Sequence, residues 1–158
     1  MRKIDALLSE YGESHQNETN KAIHWICVPL IFFSVLGLIA SIPSGMLSSV
    51  VGSSPYANWA AVLLILAIIY YVSLSVPLAI GMMLFSVACL MLINLIVRVN
   101  VAPLWLVSIV IFVVAWIGQF YGHKIEGKKP SFLKDIQFLL IGPAWLMHFV
   151  YKKVGIPY

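Results

Sequence analysis

The chain has 158 residues, of which 61% are hydrophobic and 10% charged, with a formal net charge of +4. An ordinary soluble domain carries about 25% charged residues, and a water-soluble fold of this length buries only about two-thirds of its unfolded surface. The composition argues against a soluble globule and predicts one integral membrane domain over residues 1–158. The basic residues sit at segment ends and form no stripe, which excludes a nucleic-acid-binding face. Cys27 and Cys89 fall inside apolar runs without a CxxC pair, so they read as small buried hydrophobes and not as a disulfide or zinc framework.

In chain order, Ile4, Leu7, Leu8 and Tyr11 recur at i, i+3, i+4, i+7, opposite Arg2, Lys3, Ser9 and Glu13. This predicts a short amphipathic helix lying on the membrane surface. A crossing helix needs roughly 20 apolar residues. Four stretches are assigned as spans: about 24–42, 59–76, 78–97 and 101–121. The first reads as an uncleaved anchor. Pro77 favours a tight reversal between the second and third spans, and Pro103 suits the first turn of the fourth. Such short joints predict that sequence-adjacent helices pack antiparallel. The tail "FLLIGPAWLMHFVY" is interrupted by Gly142-Pro143 and short for a span, and reads as a re-entrant or interfacial segment. The expected architecture is thus all-α, a bundle of about four transmembrane helices.

Arg2, Lys3 and Lys21 precede the first span, whereas Lys124, Lys128, Lys129, Lys134, Lys152 and Lys153 follow the fourth; Arg98 alone lies between spans. The positive-inside rule places both termini in the cytoplasm. A bacterial inner membrane and an endoplasmic reticulum membrane both satisfy this pattern.

The four histidines, His15, His24, His123 and His148, all fall at span ends or in the flanking segments assigned to that same cytoplasmic side. Taken singly, an interfacial histidine is more often a headgroup contact or helix cap than a ligand. The tyrosines and tryptophans nearby are most simply an interfacial belt, and Lys128 and Lys129 topology determinants. Convergence of four histidines on one side favours a metal site.

The spacing within "YGESHQNETNKAIHW" constrains that site. On a helix Asn17 and His24 differ by only about 20°, but His15 and His24 would lie on opposite sides and roughly 13 Å apart along the axis. They can share a metal only if the chain breaks between them. Asn17 suits an N-cap with Glu18 in the first turn, which puts the break near Gln16 and lets His15 fold back. In "GQFYGHKIEGKKP", His123 shares a helix face with Gln119 and Glu126, and Gly127 and Pro130 close the helix. Imidazole with amide or carboxylate orienters suits a first-row transition metal.

These two motifs resemble those of the 2-hydroxy fatty acid dioxygenase family. The first is tyrosine–x3–histidine–x–asparagine–x2–asparagine–x3–histidine; the second is glycine-histidine followed by glutamate-glycine and proline. The resemblance implies an iron(II)-dependent membrane enzyme that takes a 2-hydroxy fatty acid and O2 to a fatty acid one carbon shorter. It assigns the metal to His15, His24 and His123; His148, in a tail where the family pattern holds no firm histidine, is added as a fourth ligand by its expected position alone. Asn17 and Asn20 would hold an imidazole tautomer or a metal-bound water. Glu126 is left as ligand, orienter or helix-end cap, and Lys21 and Lys124 are candidates for the substrate carboxylate, with Tyr11 also at the substrate. The competing readings are a haem-binding four-helix membrane protein and a non-enzymatic lipid-binding one. Di-iron desaturase chemistry needs more histidines, in tighter boxes.

Overall fold

The computed structural model describes residues 2–52, 54–130 and 137–158; Lys134, one of the basic residues counted after the fourth span, lies outside them. Among the described residues there are seven helices and no strand. They are α1 (Lys3–Gly12), α2 (Glu18–Ala40), α3 (Gly45–Val51), α4 (Trp59–Leu74), α5 (Val76–Val99), α6 (Leu104–Glu126) and α7 (Phe138–Val154).

Helices α2, α5 and α6 are long and apolar enough to cross a membrane. With 16 residues, α4 is apolar but shorter. The outward faces of α4, α5 and α6 expose large apolar side chains such as Ile65, Ile69, Leu84, Met91, Val114 and Ile117. A surface of that kind is stable against lipid and not against water.

Local chemistry sets the helix ends. Asn17 caps α2, its side-chain oxygen accepting from Thr19 N and Asn20 N, as the spacing predicts. Ser75 alone joins α4 to α5 and caps α5 by accepting from Leu78 N, with Pro77 just inside the helix. Helix α6 ends at Gly127, whose φ of 72° is left-handed.

Three features differ from the sequence expectations. First, α6 barely touches its neighbour α5 and makes its most extensive pairing with α2. Gly37 meets Ser108, Cys27 meets Gly118 and Asn20 meets Gly122, so the pair is antiparallel and in close contact along its length. Second, the apolar stripe of α1 is buried within the protein, packed with Val28 of α2 and with Phe138, Ile141 and Trp145 of α7. That face is covered by protein and is not free to enter a membrane surface. Third, Gly142-Pro143 does not interrupt the tail: α7 is one 17-residue helix with Pro143 inside it. Proline removes a main-chain bond there, and the Tyr71 hydroxyl donates to the adjacent Leu140 carbonyl at 2.7 Å.

Helix α7 lies across the α4–α5 reversal, where the Tyr151 hydroxyl donates to the Pro77 carbonyl at 2.6 Å. The chain ends meet beside it. The Arg2 guanidinium donates to the Tyr158 main-chain carbonyl and pairs with Asp5.

Candidate metal centre

The break between α1 and α2 brings two histidines together. After Gly12 the chain turns, with His15 N–H donating to the Gly12 carbonyl at 3.0 Å, and α2 begins at Glu18. The side chain of His15 thereby faces His24, on the second turn of α2. Their Nε2 atoms are 2.8 Å apart. His123, near the C-terminal end of α6, completes the group, its ring centroid 5.0 Å from that of His15 and 4.9 Å from that of His24. The three are 1%, 0% and 4% exposed.

The loop carrying His15 is held by the end of α6. Glu126 accepts from Gln16 N at 2.8 Å, from Asn17 N at 2.9 Å and from the Asn20 amide at 3.0 Å, using both carboxylate oxygens. Its position at the start of α2 also favours a negative charge. Lys128 supplies the opposite polarity, its Nζ donating to the Glu13 carbonyl at 2.6 Å. The second amide hydrogen of Asn20 goes to the Ser14 carbonyl at 3.2 Å. Three polar side chains thus hold four residues of irregular chain, Glu13, Ser14, Gln16 and Asn17.

Tautomers follow from the hydrogen bonds. His15 Nδ1 lies 2.6 Å from the Tyr11 carbonyl, and His24 Nδ1 lies 2.8 Å from the Asn20 carbonyl. A carbonyl only accepts, so each Nδ1 carries the proton and each Nε2 presents a lone pair. Two lone pairs at 2.8 Å repel unless something positive lies between or beside them. His123 Nδ1 is buried with no hydrogen-bond partner among the described residues. One nitrogen from each ring lies within 4.8 Å of the others, so a modest inward shift of the rings would reach the spacing of about 3.4 Å that a tetrahedral metal bound at about 2.1 Å imposes. These three residues form a group that can hold a metal ion.

Electrostatics agrees. Burial pushes the His15 imidazole down to about 4, against the smaller opposing effect of the Tyr11 carbonyl. It is neutral at pH 7, the form that ligates metals. Tyr11 stacks on His15 with ring centroids 4.2 Å apart and planes 12° apart, and Trp145 lies tilted at 5.3 Å. Burial raises the Tyr11 phenol well above its ordinary range, so it stays protonated.

The other sequence candidates fall elsewhere. His148 is outside the three-histidine group; its Nδ1 shares a hydrogen bond with the Tyr158 hydroxyl. Lys21 pairs with Glu18 at 2.9 Å, and Lys124 is exposed. Asn17 acts as the α2 cap. The tautomer-holding role expected of the asparagine side chains falls to main-chain carbonyls, one of them that of Asn20.

A cavity opens beside His123 with about 710 Å³ of empty volume, counting its mouth. Apolar side chains dominate its lining, from Val28 and Phe32 near the histidines to Leu36 and Leu63 at the far end. Among the described residues its polar atoms come from Tyr11, Trp116, Gln119 and His123, and neither Lys21 nor Lys124 borders it. The three histidine rings are too close together, at 4.2–5.0 Å between centroids, to admit a porphyrin among them.

Residues 1–154 match the family described as 2-hydroxy-palmitic acid dioxygenase Mpo1-like. The chain belongs to this family. The Mpo1-like match extends through α4 and α5, where the sequence resemblance rested on hydrophobicity and order alone. No curated protein and no solved structure matches the chain. The name of the Mpo1-like family is that of a dioxygenase, and the buried histidine group is suited to metal-dependent chemistry.

Trp145 and Lys128, which the sequence alone reads as belt and topology residues, stand at the site in the fold. The only linear clue to the tautomer bonds was the four-residue spacing shared by Tyr11–His15 and Asn20–His24. Nothing in the linear pattern links Lys128 to Glu13.

Proposed function

We propose that this chain is an iron(II)-dependent dioxygenase that shortens 2-hydroxy fatty acids by one carbon, using O2. The observation that carries the reading is the facing of His15 Nε2 and His24 Nε2 at 2.8 Å, beside His123 and at the end of an apolar cavity. The family name supports the reaction class. His15, His24 and His123 hold the metal. An imidazole-only set leaves coordination positions open, as iron oxygenases require, and the bound iron supplies oxygen-activating redox chemistry.

The chain's own residues do the rest. The Tyr11 and Asn20 carbonyls hold the Nδ1 protons of His15 and His24, which orients both rings and raises their basicity. Glu126 and Asn20 keep the His15 loop in register with α2. Tyr11 and Trp145 wall the centre from water, and the cavity takes the acyl chain.

The same proposal holds the chain to be a single membrane domain with four crossings, α2, α4, α5 and α6. At about 24 Å by helix rise, α4 is short for a bilayer core of about 30 Å, a mismatch that local thinning accommodates. Its contacts favour a crossing. Trp59 Nε1 donates to the Pro43 carbonyl at one end, and Tyr71 reaches α7 at the other. Lysines cluster around the histidine end of the bundle, which favours a cytoplasmic location for the site and both termini. Helix α7 then lies at that interface and does not cross.

The test is a product assay on detergent-purified protein with iron(II), air and 2-hydroxypalmitate. The expected result is the acid one carbon shorter, abolished in a folded His24→Ala variant. No product across several chain lengths would sink the reading.

A further inference from the structure

Gln119 is 4% exposed, and it lines the cavity one helical turn before His123. The step of four residues is about 6 Å along α6 and keeps both side chains on one face. Gln119 makes no hydrogen bond with any described residue. Its amide is not sealed off, since neither of its polar atoms is among the buried unsatisfied ones, so it is open to whatever fills the cavity. Leucine would line an acyl cavity equally well. The amide therefore points to a polar partner from outside the chain.

That partner's chemistry is constrained. A primary amide offers two N–H donors and one acceptor oxygen. The head of a 2-hydroxy acid offers the reverse on adjacent carbons, carboxylate acceptors and a hydroxyl donor. Among the described residues no lysine or arginine lines the cavity, and a lysine there would be costly in an apolar membrane setting. Resting on the dioxygenase reading, we infer that Gln119 grips the polar head of the substrate, donating to its carboxylate, and so selects 2-hydroxy acids over other long-chain lipids.

The experiment measures equilibrium binding of 2-hydroxypalmitate and of 1-hexadecanol to metal-free protein by quenching of tryptophan fluorescence. Trp116, which borders the cavity, is a reporter. Wild type should prefer the hydroxy acid by about tenfold or more. Gln119→Leu should bring the ratio near unity while leaving hexadecanol binding and melting temperature unchanged. Gln119→Glu, nearly isosteric, should lose the preference through charge repulsion, and Gln119→Asn should recover part of it. In turnover, Gln119→Leu should raise KM by about tenfold with little change in kcat. A wild type without preference, or a Gln119→Leu and Gln119→Glu pair that keep it, overturns the inference. A wild type that binds with this preference but releases no shortened acid upholds the inference and sinks the dioxygenase reading.

Discussion

His15 and His24 present their Nε2 lone pairs to each other at 2.8 Å because both Nδ1 protons are committed to carbonyls four residues earlier. Neither ring can relieve the repulsion by changing tautomer without breaking a buried hydrogen bond. The pair is therefore preorganised for a cation, and His123 supplies the third nitrogen. Replacing His15, His24 or His123 by alanine should lower metal content and product formation by more than about 100-fold, beyond the 10–100-fold typical of a residue that only orients a ligand. Metal analysis after equilibration with iron(II) checks this. His148→Ala should keep both within about threefold, since His148 is engaged with Tyr158.

Acid should destabilise the metal-free protein through His15. Its imidazole is depressed by burial to about 4 in the folded chain, against about 6.5 when unfolded. Between those values the unfolded state binds the extra proton, so stability rises with pH across the window. It is fully present above about pH 6.5 and is lost as pH falls toward 4. Melting temperature measured from pH 8 to pH 4 should fall through that range, and less steeply in His15→Gln.

Glu126 joins the end of α6 to the loop between α1 and α2. Glu126→Ala leaves Gln16 N, Asn17 N and the Asn20 amide to seek other partners. The carboxylate is half-buried, so the loss after solvent screening should be about 1–2 kcal/mol. Metal affinity should fall more than stability alone explains, because the His15 loop is released. Denaturant unfolding and metal titration on the same variant separate the two effects.

Close approach of α2 and α6 depends on missing side chains. A Cβ at Gly118 would lie 2.6 Å from Cys27 Sγ, and Gly118→Ala should cost about 1–3 kcal/mol by overpacking. Adding Cys27→Ala removes the obstructing sulfur, so the double variant should recover about 1 kcal/mol relative to the sum of the singles. A cycle showing no coupling would mean that the helices do not meet at this level.

Several local features were legible in the linear pattern. Asn17 before Glu18 and an apolar run marks a helix start, and the need for His15 to reach His24 demanded the break that precedes it. Gly127 and Pro130 marked the end of α6 for similar reasons. Pairings between distant elements were harder. Which helix α6 packs against depends on small residues at Gly118 and Gly122 meeting Cys27 and Asn20, a match visible only once both helices are in register. His148 shared a side of the membrane with the other histidines, but position on a side does not fix the direction in which a helix face points. Glu126 stood at the right spacing for a ligand, and only the fold brought the main-chain donors of Gln16 and Asn17 to its oxygens.

The break before α2 has a consequence for how the protein is made. His15 and His24 leave the ribosome with nearly a hundred residues still to follow before His123. Until α6 has been synthesised and laid against α2, the chain offers a metal only two nitrogens, one of them on an untethered loop, since Glu126 and Lys128 arrive later still. On the proposed reading, metal loading is thereby deferred to the end of biogenesis, and a chain stalled before α6 would lack the third nitrogen of the group.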